Sequence, residues 1–224
     1  MNNNRAPLDW GFWRRWVLFS TLGYGIGGIV GWAIATSVWL FSFAYSSDSD
    51  VPFILSMAGG GAIAGISIGL AQWRAIRLKA PHASKLAWIG GNVAGMAIGW
   101  TAFFWVLPVF GKGEPIVLAL LVSGGLWGFL AGAIQWHILQ GQIQRASIWF
   151  ALNGLIGIVV FGIGWAWIPW LFFDYLSQMG SETYGIPIIG TMFSPISWPL
   201  AGVLAGGTTG GLLFRLLRPP KPEG

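Results

Sequence analysis

Polar residues in this chain come in short clusters, and between them lie six long apolar runs, near residues 16 to 44, 53 to 73, 86 to 107, 116 to 138, 147 to 171 and 195 to 214. Each run is free of Asp, Glu, Lys and Arg. Each is also at least about 18 residues long, enough to cross a hydrocarbon core about 30 Å thick. The pattern predicts six transmembrane helices in one integral membrane domain spanning residues 1 to 224. The first run is too long and too rich in tryptophan for the apolar core of a cleaved signal, so the first span is expected to stay in place.

Five of the runs carry three glycines spaced four residues apart: Gly23, Gly27 and Gly31; Gly61, Gly65 and Gly69; Gly91, Gly95 and Gly99; Gly124, Gly128 and Gly132; Gly202, Gly206 and Gly210. Spacing of four places each triplet on one helix face. Glycine weakens a helix in water by about 1 kcal/mol against alanine. In lipid, small residues instead let backbones approach closely, so these faces are read as helix-packing surfaces.

The triplets also align the chain with itself. Gly69 is followed by Gln72-Trp73-Arg74, Gly132 by Gln135-Trp136-His137 and Gly210 by Leu213-Phe214-Arg215, a copy that lacks the glutamine. In the odd spans, Trp88 and Asn92 are matched by Trp149 and Asn153, and by Trp16 and Ser20. One unit is thus a two-helix hairpin present three times. An even number of spans per unit makes the copies parallel, arranged about an axis along the membrane normal. Span 5 carries Asn153, Gly157 and Phe161 in place of a triplet, which marks it as the place for the ring to open. Pro52, Pro108, Pro115, Pro169, Pro195 and Pro199 are expected at span ends, and Asp174 to Ser194 reads as a long loop or lid.

Charge sets the orientation. Arg5, Arg14, Arg15, Arg74, Arg77, Lys79, Lys85, Arg145, Arg215, Arg218 and Lys221 all fall on one side of the six spans, leaving only Lys112 of the twelve cations on the other. The positive-inside rule makes that side cytoplasmic, with both termini inside. Five of the seven acids, Asp48, Asp50, Glu114, Asp174 and Glu182, lie opposite. Only 8% of the residues are charged and the net charge of +5 follows the membrane. The basic rim therefore suits anionic lipid, and another membrane protein is the other partner to expect; nucleic acid is not.

Candidate chemistry is sparse. With no cysteine there is no disulfide, thiolate metal site or cysteine nucleophile. No paired carboxylates, nucleophile with base, or metal set is visible, so no catalytic residue, metal or cofactor is assigned. Gln72, Asn92, Gln135 and Asn153 could form a polar ring near the inner mouth, as helix glue or as the lining of a path. Most of the sixteen tryptophans read as two interfacial belts: Trp10, Trp13, Trp16, Trp73, Trp88, Trp136 and Trp149 inside, Trp39, Trp105, Trp167, Trp170 and Trp198 outside. Trp32, Trp100, Trp127 and Trp165 read deeper. With His137, the last three are candidates for lining a ligand site.

Around Ala71-Gln72-Trp73-Arg74-Ala75-Ile76-Arg77, and again at Ile134-Gln135-Trp136-His137-Ile138-Leu139, the chain resembles multi-span bacterial membrane proteins, frequent in cyanobacteria, with a recurrent AQW-x-x-L-R helix end. The resemblance implies a bacterial inner membrane, or a thylakoid in a cyanobacterial host, and brings no activity with it. The expected function is a non-catalytic structural or accessory component of a membrane assembly. The alternatives are a passive channel or carrier for a small neutral or apolar solute, and a pigment-, quinone- or carotenoid-binding protein.

Overall fold

Asp9 begins the first helix. Its Oδ1 accepts the Phe12 N–H at 2.9 Å and its carbonyl accepts the Trp13 N–H at 3.1 Å, the arrangement of an N-cap. From there α1 runs over Trp10–Tyr45, followed by α2 (Val51–Ile76), α3 (Lys85–Phe110), α4 (Pro115–Leu139), α5 (Ala146–Gly157) and α6 (Glu182–Leu216). A π-helical segment, Ile158–Ile163, continues α5. The computed structural model describes residues 9–45, 51–110, 115–140, 142, 146–163 and 182–216, and all of them are helix, turn or short connection. Three helical stretches among them are long and apolar enough to cross a membrane: Trp10–Ser42, Val51–Ile76 and Leu118–Leu139.

The first four helices and the last are longer than the apolar runs that predict them, while the fifth run is described only as far as Ile163. Asp9 adds a turn and a half to the start of α1, and α2 continues past Trp73 to Ile76. The largest difference is in α6. It begins at Glu182, so most of the expected loop from Asp174 to Ser194 is helix, and residues 174–181 lie outside the described residues. Pro187, Pro195 and Pro199 stand inside α6 rather than at its end, and Pro108 stands inside the last turn of α3. A helix in an apolar setting tolerates proline where neighbouring side chains take up the freed backbone groups. Separately from those freed carbonyls, Ser197 Oγ donates to Phe193 O at 2.9 Å, and Pro199 packs beside Gly25 of α1.

Each helix packs on the next in chain order, and α6 returns to pack along α1. The five glycine triplets all lie where another helix comes closest. Gly61, Gly65 and Gly69 of α2 face α3, where a Cβ added at Gly61 would stand 2.6 Å from Met96 O. Gly124, Gly128 and Gly132 of α4 face α5, and Gly202, Gly206 and Gly210 of α6 face α1, with Thr21 Cα 2.6 Å from a Cβ at Gly202. Triplets on α1 and α3 face α2 and α4. The α3–α4 seam adds a hydrogen bond from Ser123 Oγ to Gly99 O at 2.6 Å. The α5–α6 seam is the thinnest among the described residues; Ile156 of α5 and Val160 of its π-helical continuation are both buried in the core.

The outer face is apolar. Along α1, Leu18, Leu22, Ile26, Val30, Ile34 and Val38 are all exposed, one per turn, and α4 shows Leu118, Val122, Leu126 and Phe129 in the same way. A helix face of this kind in water would be a severe aggregation liability. It is the surface expected against lipid chains.

Candidate functional site

The core is built from indoles. Near one end of the ring, Trp16, Trp88 and Trp149, from α1, α3 and α5, meet with ring centroids 6.4, 6.0 and 6.4 Å apart. All three are buried to within 1%. Their position along the chain led to an interfacial reading, which the packing corrects. Depth in a span says nothing about the side of the helix on which a side chain lies, and these three point inward, away from lipid.

Two of these indoles have their N–H satisfied by the even helices. Trp149 Nε1 donates to Gln135 Oε1 at 2.9 Å, and Trp16 Nε1 donates to Thr209 Oγ1 at 2.9 Å. Thr209 in turn donates to Ala205 O. The third copy of the Gln-Trp pattern has Leu213 in place of glutamine, and Thr209, one turn earlier on the same face, supplies the missing oxygen. Trp88 Nε1 and Gln72 Oε1 are both buried with no hydrogen-bond partner. Asn92 and Asn153 donate to the carbonyls one turn back, Trp88 O at 3.0 Å and Trp149 O at 2.9 Å. Among the described residues no hydrogen bond joins one carboxamide to another. Three of the four amides are thus met by an indole or within their own helix, and Gln72 Oε1 is the one left without a partner.

A second aromatic layer lies further along the axis. Tyr24 meets Trp127 edge-on at 5.7 Å, Trp127 meets Phe161 at 5.5 Å, and Phe161 meets Trp198 at 5.7 Å. Trp198 stacks on Trp100 at 5.4 Å, and Trp100 meets Trp32 at 5.8 Å. The series runs through α1, α4, the π-helical continuation of α5, α6, α3 and back to α1. Trp198, expected in the outer belt, is a core residue because α6 starts well before it. A Cβ at Gly28 would collide with its ring, so Gly28 is a close-approach glycine that the triplet pattern omits.

Of the residues expected to line a ligand site, Trp100 and Trp127 lie in one layer and His137 lies apart from them. Trp100 and Trp127 belong to this layer, with their indole N–H groups buried and unpartnered. His137 is exposed in the last turn of α4, ten residues from Trp127 and so about 15 Å along the helix. Trp165 lies outside the described residues. Among the described residues no three His, Cys, Asp or Glu side chains gather to hold a metal ion.

At the end nearest the indole cluster, the α2–α3 turn folds over the bundle. Lys79 N and Ala80 N both bond Ile76 O, at 2.9 and 2.8 Å, while Ala80 and Ala83 are buried against Phe12 and Trp88. Trp73 Nε1 reaches Ala83 O at 3.5 Å. Lys79 Nζ pairs with Asp9 Oδ2 at 2.8 Å. That hydrogen bond, with the Phe12 N–H next, holds the Asp9 carboxyl below its ordinary value of 3.8. Arg77 and Lys85 instead both approach the Trp73 ring, 5.1 and 5.3 Å from its centroid. No protein-family model, no characterised protein and no solved structure matches this chain.

Proposed function

We propose that the chain is a non-catalytic polytopic membrane protein that serves as a structural or accessory component of a membrane assembly. In this reading it has six spans, arranged as three parallel helical-hairpin repeats, with both termini in the cytoplasm. The observation that supports it is the filled axis, in which two aromatic layers drawn from α1, α3, α4, α5 and α6 occupy the space a solute path would need. A channel through the middle would require those indoles to part. The loop charges and the AQW-like helix ends favour a bacterial inner membrane, or a thylakoid in a cyanobacterial host, with anionic lipid at the cytoplasmic face and a second membrane protein as partner.

Affinity purification in a mild detergent tests this. A stoichiometric membrane-protein partner, together with unimpaired solute uptake in a deletion strain, supports the reading; a lone protein with an uptake defect overturns it. A second reading, binding of a pigment, quinone or carotenoid, draws on the two unpartnered indole donors of Trp100 and Trp127. A visible absorption band in the purified protein would favour it.

A further inference from the structure

The cations at the α2–α3 turn are not used alike. Lys79 is neutralised by Asp9 in the one ion pair among the described residues. Arg77 and Lys85 are both exposed and share the Trp73 ring. Trp73 Nε1 also reaches Ala83 O at the far side of the turn, so the two cations share one ring held at the turn, and neither has an acidic partner among the described residues. Like charges brought to one ring repel, while each cation gains only about 0.5–1 kcal/mol from an exposed indole face. An anion bound at the pair would offset that repulsion.

The neighbours of the pair indicate what kind of anion. Leu78 and Leu86 flank the cations and are 52% and 81% exposed, so the basic pair sits beside apolar side chains at the end of an apolar bundle. A free phosphate has no use for that surface, whereas a lipid has both a phosphate and acyl chains. The packing of the bundle does not demand these cations either: at the other Gln-Trp pair, Gln140 and Ala146 stand where Arg77 and Lys85 do, relative to Trp136 and Trp149.

We infer that Trp73, Arg77 and Lys85 form a retained binding site for one anionic phospholipid, the headgroup phosphate held by the two cations at the Trp73 edge and the acyl chains beside Leu78 and Leu86. The inference rests on the membrane-embedded reading above and sharpens its lipid partner to one place. The test is native mass spectrometry of the full chain, delipidated in mild detergent and offered phosphatidylglycerol or phosphatidylcholine. One tightly held phosphatidylglycerol is expected, and soluble glycerol phosphate should not displace it. At about 1 kcal/mol per cation near a membrane surface, Arg77→Gln with Lys85→Gln should weaken retention about thirtyfold, while Arg14→Gln with Arg15→Gln should not. Both substituted pairs are surface positions, and unchanged helicity and melting temperature would exclude misfolding as the cause. Equal retention by the two double variants, or displacement by glycerol phosphate, overturns the site. Neither result touches the flux and partner measurements that decide the proposed function.

Discussion

Trp149 donates its indole N–H to Gln135 Oε1 across 2.9 Å, with both side chains almost fully buried. The pair joins α5 to the end of α4 at the level where Trp16 and Trp88 close the axis. A tryptophan placed here fills volume with its ring and leaves one donor to be met, and the neighbouring even helix meets it. Trp16 solves the same problem with Thr209.

The Gln72 and Gln135 positions therefore differ, although they occupy the same place in the sequence pattern. Gln135→Leu strands a buried indole donor and should cost about 0.5–2 kcal/mol. Gln72→Leu removes a buried oxygen that has no partner and should be neutral or mildly stabilising. Thermal unfolding in mild detergent ranks the two, and equal losses would show that Gln72 bonds Trp88.

Glycines should separate by their surroundings. Gly65→Ala would push a methyl group to 2.5 Å from Asn92 O and 2.6 Å from Val93 Cα, both backbone atoms, and overpacking of this kind costs about 1–3 kcal/mol. Gly59 and Gly90 have nothing within 4 Å. Alanine there should stabilise the helix by about 0.5–1 kcal/mol. Melting curves of the single variants give the sign directly.

Trp198 and Gly28 should behave as a coupled pair. Gly28→Ala drives a methyl group into the indole, and Trp198→Ala leaves a large core void costing about 3–5 kcal/mol. Combining Gly28→Ala with Trp198→Leu should recover part of the first loss, giving a clearly non-additive cycle. Strict additivity would place Trp198 away from Gly28.

Much of this was legible in the spacing of residues, and the reasons for the rest are specific. A four-residue period identifies a helix face, so the glycine faces could be read without coordinates. An indole, however, favours both the lipid interface and a packed core, and distance from a span end cannot tell one from the other; Trp16, Trp88, Trp149 and Trp198 were misread for that reason. Thr209 was invisible as a stand-in for glutamine because it sits one turn away from the aligned position. The long α6 was hidden by Pro187, Pro195 and Pro199, which signal a helix end in water but not within an apolar bundle.

Acid should act on the start of α1. Asp9 has a lowered folded pKa, so the unfolded chain takes up its proton first as pH falls. The contribution of the cap and ion pair is complete above pH 3.8, the ordinary value, and is lost as pH drops through the lower folded value. Asp9→Asn keeps a good capping side chain but removes the charge, and should flatten that acid limb, leaving the variant and the parent to diverge only as pH falls below about 5. Melting temperature against pH measures both.

Flux through the purified protein in liposomes decides whether the two aromatic layers close the axis. Small neutral solutes and ions should leave loaded proteoliposomes no faster than protein-free ones. A saturable efflux that Gln72→Leu with Gln135→Leu abolishes would mean that an amide-lined path runs through the bundle, and that the indoles of Trp16, Trp88 and Trp149 part to admit it.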